Sequence, residues 1–131
     1  KKLGYVISGD EVIFERKIYS TYDYKTKLFE DLTDSKKEVV FILNEYNDEV
    51  VTDLLNRCSN IKIFTHSNAT IAHKNISGLL KTNLEINAVI IDQKILWYGG
   101  INPFKTIAYN DSIMRINDKS ICETIIKEAK K

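Results

Sequence analysis

Little in this sequence can staple or punctuate a fold: two cysteines, Cys58 and Cys122, a single proline, Pro103, and five glycines are spread over 131 residues. A chain of this length buries roughly two thirds of the surface its unfolded form exposes, so one hydrophobic core suffices without disulfide or metal support. The two thiols are therefore expected to stay reduced, as in a cytoplasmic protein, with a single disulfide as the alternative. No Gly/Ser linker, repeat or low-complexity tract marks a boundary, which points to a single domain over residues 1–131. No apolar run reaches the ~18 residues of a membrane-spanning helix, and Lys1-Lys2-Leu3-Gly4 carries no signal-type apolar core. Met114 is the only methionine. Without an initiator residue, the chain is expected to be a piece of a longer protein with further domains as partners.

Apolar residues make up 44% of the chain and charged residues 28%, the balance of a soluble globular domain. The net charge of +1 excludes a strongly basic or acidic protein, yet the charge is unevenly placed. Residues 1–53 hold 12 acids and 8 bases. Residues 54–84 contain no acid at all, while Arg57, Lys62, Lys74 and Lys81 supply four cations, with His66 and His73 besides. If these four form one face, they suit a polyanion such as nucleic acid; a solvated surface is the alternative.

Apolar patterning divides the chain into alternating elements. Short strands are expected at residues 4–8 and 11–15, then a helix over 22–32, where Tyr24, Leu28 and Leu32 recur every four positions. The continuous run Glu38-Val-Val-Phe-Ile-Leu43 reads as a buried strand, being too short for a helix. Asn47 followed by Asp48 and Glu49 suits the start of a helix over 47–57, because a capping side chain and early acids satisfy the free amides and the dipole. Strands follow at 61–65, 86–91, 95–98 and 112–116, with residues 66–82 irregular, and Asp118 caps a last helix to about 129. This order implies an α/β fold, a mixed β-sheet flanked by helices.

The stretch Glu85-Ile-Asn87-Ala-Val-Ile-Ile-Asp92-Gln-Lys-Ile-Leu-Trp-Tyr-Gly99-Gly100-Ile-Asn102 resembles the signature of the phospholipase D superfamily. That signature is His-x-Lys, four residues, Asp, six residues, then Gly-Ser-x-Asn. Asp92, Gly99 and Asn102 fall on its Asp, Gly and Asn without a gap, and Asp111 matches an acid that follows about nine residues later. The run from Asp31 through Ile42 is similar to the helix-to-strand passage of such domains. The resemblance implies a phospholipase D-like half-domain, of the kind found in nucleases and helicase-like proteins.

The departures fall on the chemistry. In this family one motif His attacks the phosphodiester, a second motif's His protonates the leaving oxygen, and Lys and Asn hold the phosphate oxygens, without metal or cofactor. Here Glu85 stands in place of the His, Asn87 in place of the Lys, and Gly100 in place of the Ser. A carboxylate ~4 Å from a phosphodiester, at an effective dielectric near 20, is repelled by about 4 kcal/mol. The vestigial catalytic set is thus Glu85, Asn87, Asp92, Asn102 and Asp111, expected to converge on one pocket. Three readings follow: an inactive accessory module of a nucleic-acid-processing protein, a phosphodiesterase half completed by a partner's motif, or a structural dimerisation module. His66 and His73 are candidates for completing a site, and Trp97 and Tyr98 read as core residues. Neither zinc-type Cys/His spacing nor a Gly-rich phosphate loop is present.

Overall fold

A computed structural model describes residues 6–7, 11–12, 15–66, 71–106 and 110–131. Two short strands, β1 (Val6–Ile7) and β2 (Glu11–Val12), pair with each other antiparallel. The strands expected at 4–8 and 11–15 thus contract to two residues each where they are described, and most of the remainder lies outside the described residues. The main sheet comprises β3 (Glu15–Ser20), β4 (Val39–Leu43), β5 (Ile61–Thr65), β6 (Ile76–Lys81), β7 (Ala88–Ile91), β8 (Ile95–Gly99) and β9 (Ser112–Asn117). Its seven strands run in the order β3-β9-β8-β7-β4-β5-β6. β4, β5 and β6 are mutually parallel and every other neighbouring pair is antiparallel, so the fold is the expected mixed α/β sheet.

Helices cover both faces, which is why all five residues of β4 are apolar and buried. Val39, Phe41 and Leu43 join the core beneath α1 (Tyr24–Thr33) and α2 (Asp48–Leu55). Val40 and Ile42 join the opposite core, beneath α3 (Lys119–Ala129). Tyr24, Leu28 and Leu32 form the buried stripe of α1, as their four-residue spacing requires. Asn47 accepts hydrogen bonds from the Glu49 and Val50 amides, and Asp118 from those of Ser120 and Ile121, so each caps its helix.

One buried polar cluster ties α1 to the sheet. Asp31 accepts from Trp97 Nε1 at 2.8 Å and from Arg115 Nε at 2.7 Å. The Trp97 ring packs against Tyr19 with centroids 5.1 Å apart. Cys58 packs against the first core and Cys122 lies within the second, on opposite faces of the sheet. Both thiols are free, and the sheet between them removes the disulfide alternative.

Residues 66–82, expected to be irregular, contain β6. Its sequence Ile-Ser-Gly-Leu-Leu-Lys has neither a β-branched run nor alternation, because an edge strand with little cover needs neither.

Candidate functional site

The topology gathers chemistry-bearing residues at one end of the sheet. β4, β5 and β8 end there, while β7 and β9, running the other way, begin there. Between these ends lies an open cavity of about 580 Å³, lined by Glu45, Glu85, Asn87, Tyr98, Gly99, Gly100, Asn102, Lys105 and Asp111 among others. Four of the five residues singled out by the motif, Glu85, Asn87, Asn102 and Asp111, therefore meet in one pocket.

Asp92 does not join them. It occupies the β7–β8 turn at the opposite end of the sheet, where Asp92 and Gln93 have φ of 54° and 59°, as a tight hairpin of two left-handed residues requires. Its carboxylate accepts from the backbone amides of Lys36, Lys37 and Glu38, at 2.9, 2.7 and 3.2 Å. These bonds fix the passage from α1 into β4. The expectation that Asp92 converges with the other motif residues is corrected on this point. The strand between Glu85 and Asp92 spans the sheet and separates them.

Within the pocket the oxygens of both side-chain amides are already engaged. Asn87 Oδ1 accepts from the Asn44 and Glu45 amides at 2.9 and 3.0 Å. Asn102 Nδ2 donates to the Glu45 carbonyl at 2.8 Å, and its Oδ1 accepts from the Phe104 amide at 2.9 Å. The two side chains clamp the backbone at Glu45 from both sides, and both polar ends of Asn102 are spent on backbone. This clamp places Glu45 at the pocket, a residue the motif does not mention. Its signal in the sequence is its position just past the end of a fully buried strand, where ligands of open α/β sheets collect.

Asp111 is held over Gly100. Its amide donates to Thr21 Oγ1 at 2.9 Å, and its Oδ1 accepts from the Ser112 amide at 2.8 Å. A Cβ at Gly100 would overlap the Asp111 carboxylate in its present rotamer, so a side chain there requires that carboxylate to swing aside. Gly99 has a different reason: a Cβ there would come within 2.9 Å of the Ile113 Cα. Glu85 is exposed at the rim. Among the described residues, the lining thus carries three carboxylates, Glu45, Glu85 and Asp111, against one cation, Lys105. Among the described residues, no group of three or more His, Cys, Asp or Glu could hold a metal ion.

The two histidines stand outside the pocket lining. His66 is exposed at the end of β5. His73 lies in the loop before β6, where its Nδ1 accepts from the Asn75 amide at 3.1 Å. Its Nε2 lies 2.8 Å from Asn56 Oδ1.

The four cations expected to bind a polyanion do not share one face. Arg57 follows α2, pairs with Asp53 at 3.3 Å and stacks 3.6 Å over the Phe29 ring. Lys62 alternates with the Ile61 and Ile63 side chains of the α2 face, so it projects from the opposite side of the sheet, 4.0 Å from Glu38. Lys74 and Lys81 are exposed at either end of β6.

No protein-family model matches the chain, and no curated protein does. Solved structures do match its fold. NucT from Helicobacter pylori superposes with a TM-score of 0.64 at 14% identity, over 89% of this chain and 94% of that one. The phospholipase D family member Nuc from Salmonella typhimurium gives 0.63 at 9% identity, over 89% and 92%. TrmBL2, an archaeal chromatin protein, gives 0.54 at 11% identity, over 86% of this chain and 49% of that chain. The chain has a phospholipase D-like fold.

Proposed function

We propose that this chain is a catalytically silent phospholipase D-like domain that serves as a nucleic-acid-contacting accessory module of a larger DNA- or RNA-processing protein, such as a helicase or nuclease. One observation carries the reading: the pocket at the motif is walled by Glu45, Glu85 and Asp111, with Lys105 as its single cation among the described residues. A phosphodiester entering it meets net negative charge where catalysis needs a nucleophile and a cationic cradle. Of the remaining candidates for holding phosphate oxygens, Asn102 has its Nδ2 on the Glu45 carbonyl, and Asn87, fixed by its Oδ1, offers a neutral amide donor in place of a cation.

Contact with nucleic acid is supported by the shared fold with TrmBL2, a chromatin protein described as binding DNA. It is further supported by the exposed Lys74 and Lys81 within the acid-free residues 54–84. Because Arg57 and Lys62 are each paired with an acid, two phosphate contacts replace the four that the sequence offers.

The test uses a labelled DNA duplex in EDTA. No cleavage is expected, and binding should fall with salt along a log–log slope of about −1.8, for two phosphate contacts. Replacing Lys74 and Lys81 with Ala should flatten that slope, while Arg57→Ala should leave it. Cleavage in EDTA that is lost in Glu85→Ala overturns the silent site. Absence of binding near 50 mM salt removes the nucleic-acid role.

A further inference from the structure

β6 is an edge strand whose one protective irregularity, an extra residue at Ser77 opposite the Ile61–Lys62 step, lies before Leu79–Lys81, which pair with β5 in regular register. The opposite edge, β3, carries Glu15, Arg16 and Lys17 in half of its length, charges that discourage strand addition. β6 carries none until its last residue, Lys81, and no proline. Leu79 and Leu80 are 43% and 41% exposed, and as neighbours on a strand they project to opposite faces. Both sides of the edge are therefore partly bare. Among the described residues, the backbone there is also unpaired outward. The Thr82 amide donates inward to the Thr65 carbonyl at 3.0 Å, so by alternation the N–H and C=O groups of Lys81 and Leu79 face away from β5.

Charge decides between occupants. Lys74 and Lys81 flank the strand, and no acid lies between residues 54 and 84. A second copy would set this cationic segment against itself. A strand with acids near its ends would meet both lysines, while its central apolar side chains would cover Leu79 and Leu80. We propose that the β6 edge receives an extended, acid-flanked peptide segment of a partner protein as an eighth strand of the sheet. This goes beyond the proposed function and does not depend on it.

The probe is an acetylated peptide of alternating Val and Thr between paired glutamates, added to the intact chain while amide hydrogen exchange is followed by NMR. Exchange at Leu79 and Lys81 should slow at least about tenfold at saturation. A peptide N-methylated at alternate amides should give no protection, which tests pairing without altering the protein. Lys74→Ala with Lys81→Ala should weaken binding severalfold. The proposal is overturned if those amides remain unprotected, or if a lysine-flanked peptide protects them equally. It is also overturned if a dT oligonucleotide protects them as well as the peptide does, or if protection rises with protein concentration in the absence of peptide, which would make a second copy the occupant.

Discussion

Removing the Asp31 carboxylate should destabilise the fold more than any change in the pocket. Asp31 is 7% exposed, and its two oxygens take three hydrogen bonds: from Trp97 Nε1, from Arg115 Nε, and from the Arg115 NH2 group at 3.1 Å. In Asp31→Ala the indole N–H and the guanidinium lose their partner inside the structure. Breaking a buried ion pair from one side costs about 3–5 kcal/mol. Arg115 also lies 3.5 Å from Glu15, to which it can turn, and this favours the lower part of the range. The expected loss is about 3–4 kcal/mol, a large share of the roughly 7–20 kcal/mol available to a domain of this size. Urea denaturation read by Trp97 fluorescence measures it. Asp31→Asn keeps an acceptor for the indole but removes the charge, and should cost roughly half as much. A double change, Asp31→Leu with Arg115→Met, should recover part of the loss, since apolar pairs often replace buried ion pairs without penalty. A loss below about 1 kcal/mol in Asp31→Ala would refute the claim that this cluster fastens α1 to the sheet.

Gly99→Ala should lose about 1–3 kcal/mol in the same assay, because its Cβ meets the backbone of Ile113, Met114 and Ser112. Gly78→Ala, whose Cβ would lie 3.7 Å from the nearest atom, should be neutral or slightly stabilising. Asp92→Ala should cost about 1–2 kcal/mol, since it frees three backbone amides, of which only that of Glu38 is partly buried, and puts an alanine at positive φ; Asp92→Asn, which tolerates that backbone, should cost less. Burial pushes the Cys58 and Cys122 thiols from 9.0 up to about 12, aided at Cys122 by Asp118 and Glu123. The folded state therefore holds these protons more tightly than the unfolded state. Stability should be level below pH 9 and fall as pH rises from 9 toward 12, with buried Tyr24 adding to the fall above 10, and denaturation midpoints at pH 8, 10 and 11 would check it.

The interior of this fold was readable from residue patterns because burial leaves strong ones. β4, β5 and β7 are apolar runs flanked by helices with visible caps at Asn47 and Asp118, and their positions follow from the sequence. The edges were not readable. β3 and β6 have few buried side chains, so selection for packing left no alternation to see. Spacing brought Glu85, Asn87, Asn102 and Asp111 to one pocket, but it could not say which side chains the backbone had already engaged. It also could not tell that Lys62 and Arg57 lie on opposite sides of the sheet. A linear count of charge carries no information about facing, and so 31 residues without an acid did not become one basic surface.

The motif positions also divide by the work each side chain does for the backbone. Asp92 holds three amides of the passage into β4, Asn102 braces Glu45 and Phe104, and Gly99 admits the close approach of β9. Each matches the phospholipase D signature, and each has a structural task that is complete without a substrate. In the proposed reading, Glu85, Asn87 and Gly100 depart from the signature that the sequence resembles, at its nucleophile, cation and hydroxyl. Reversing them would not simply restore a site. A lysine at position 87 would leave the Asn44 and Glu45 amides without their acceptor, and a serine at position 100 would require the Asp111 carboxylate to change rotamer. In the folded chain Asn87 clamps Glu45 and Asp111 sits over Gly100. The pocket's acidity is therefore a property of the folded arrangement, anchored by backbone hydrogen bonds, and a single reversal at Glu85 leaves two carboxylates in place.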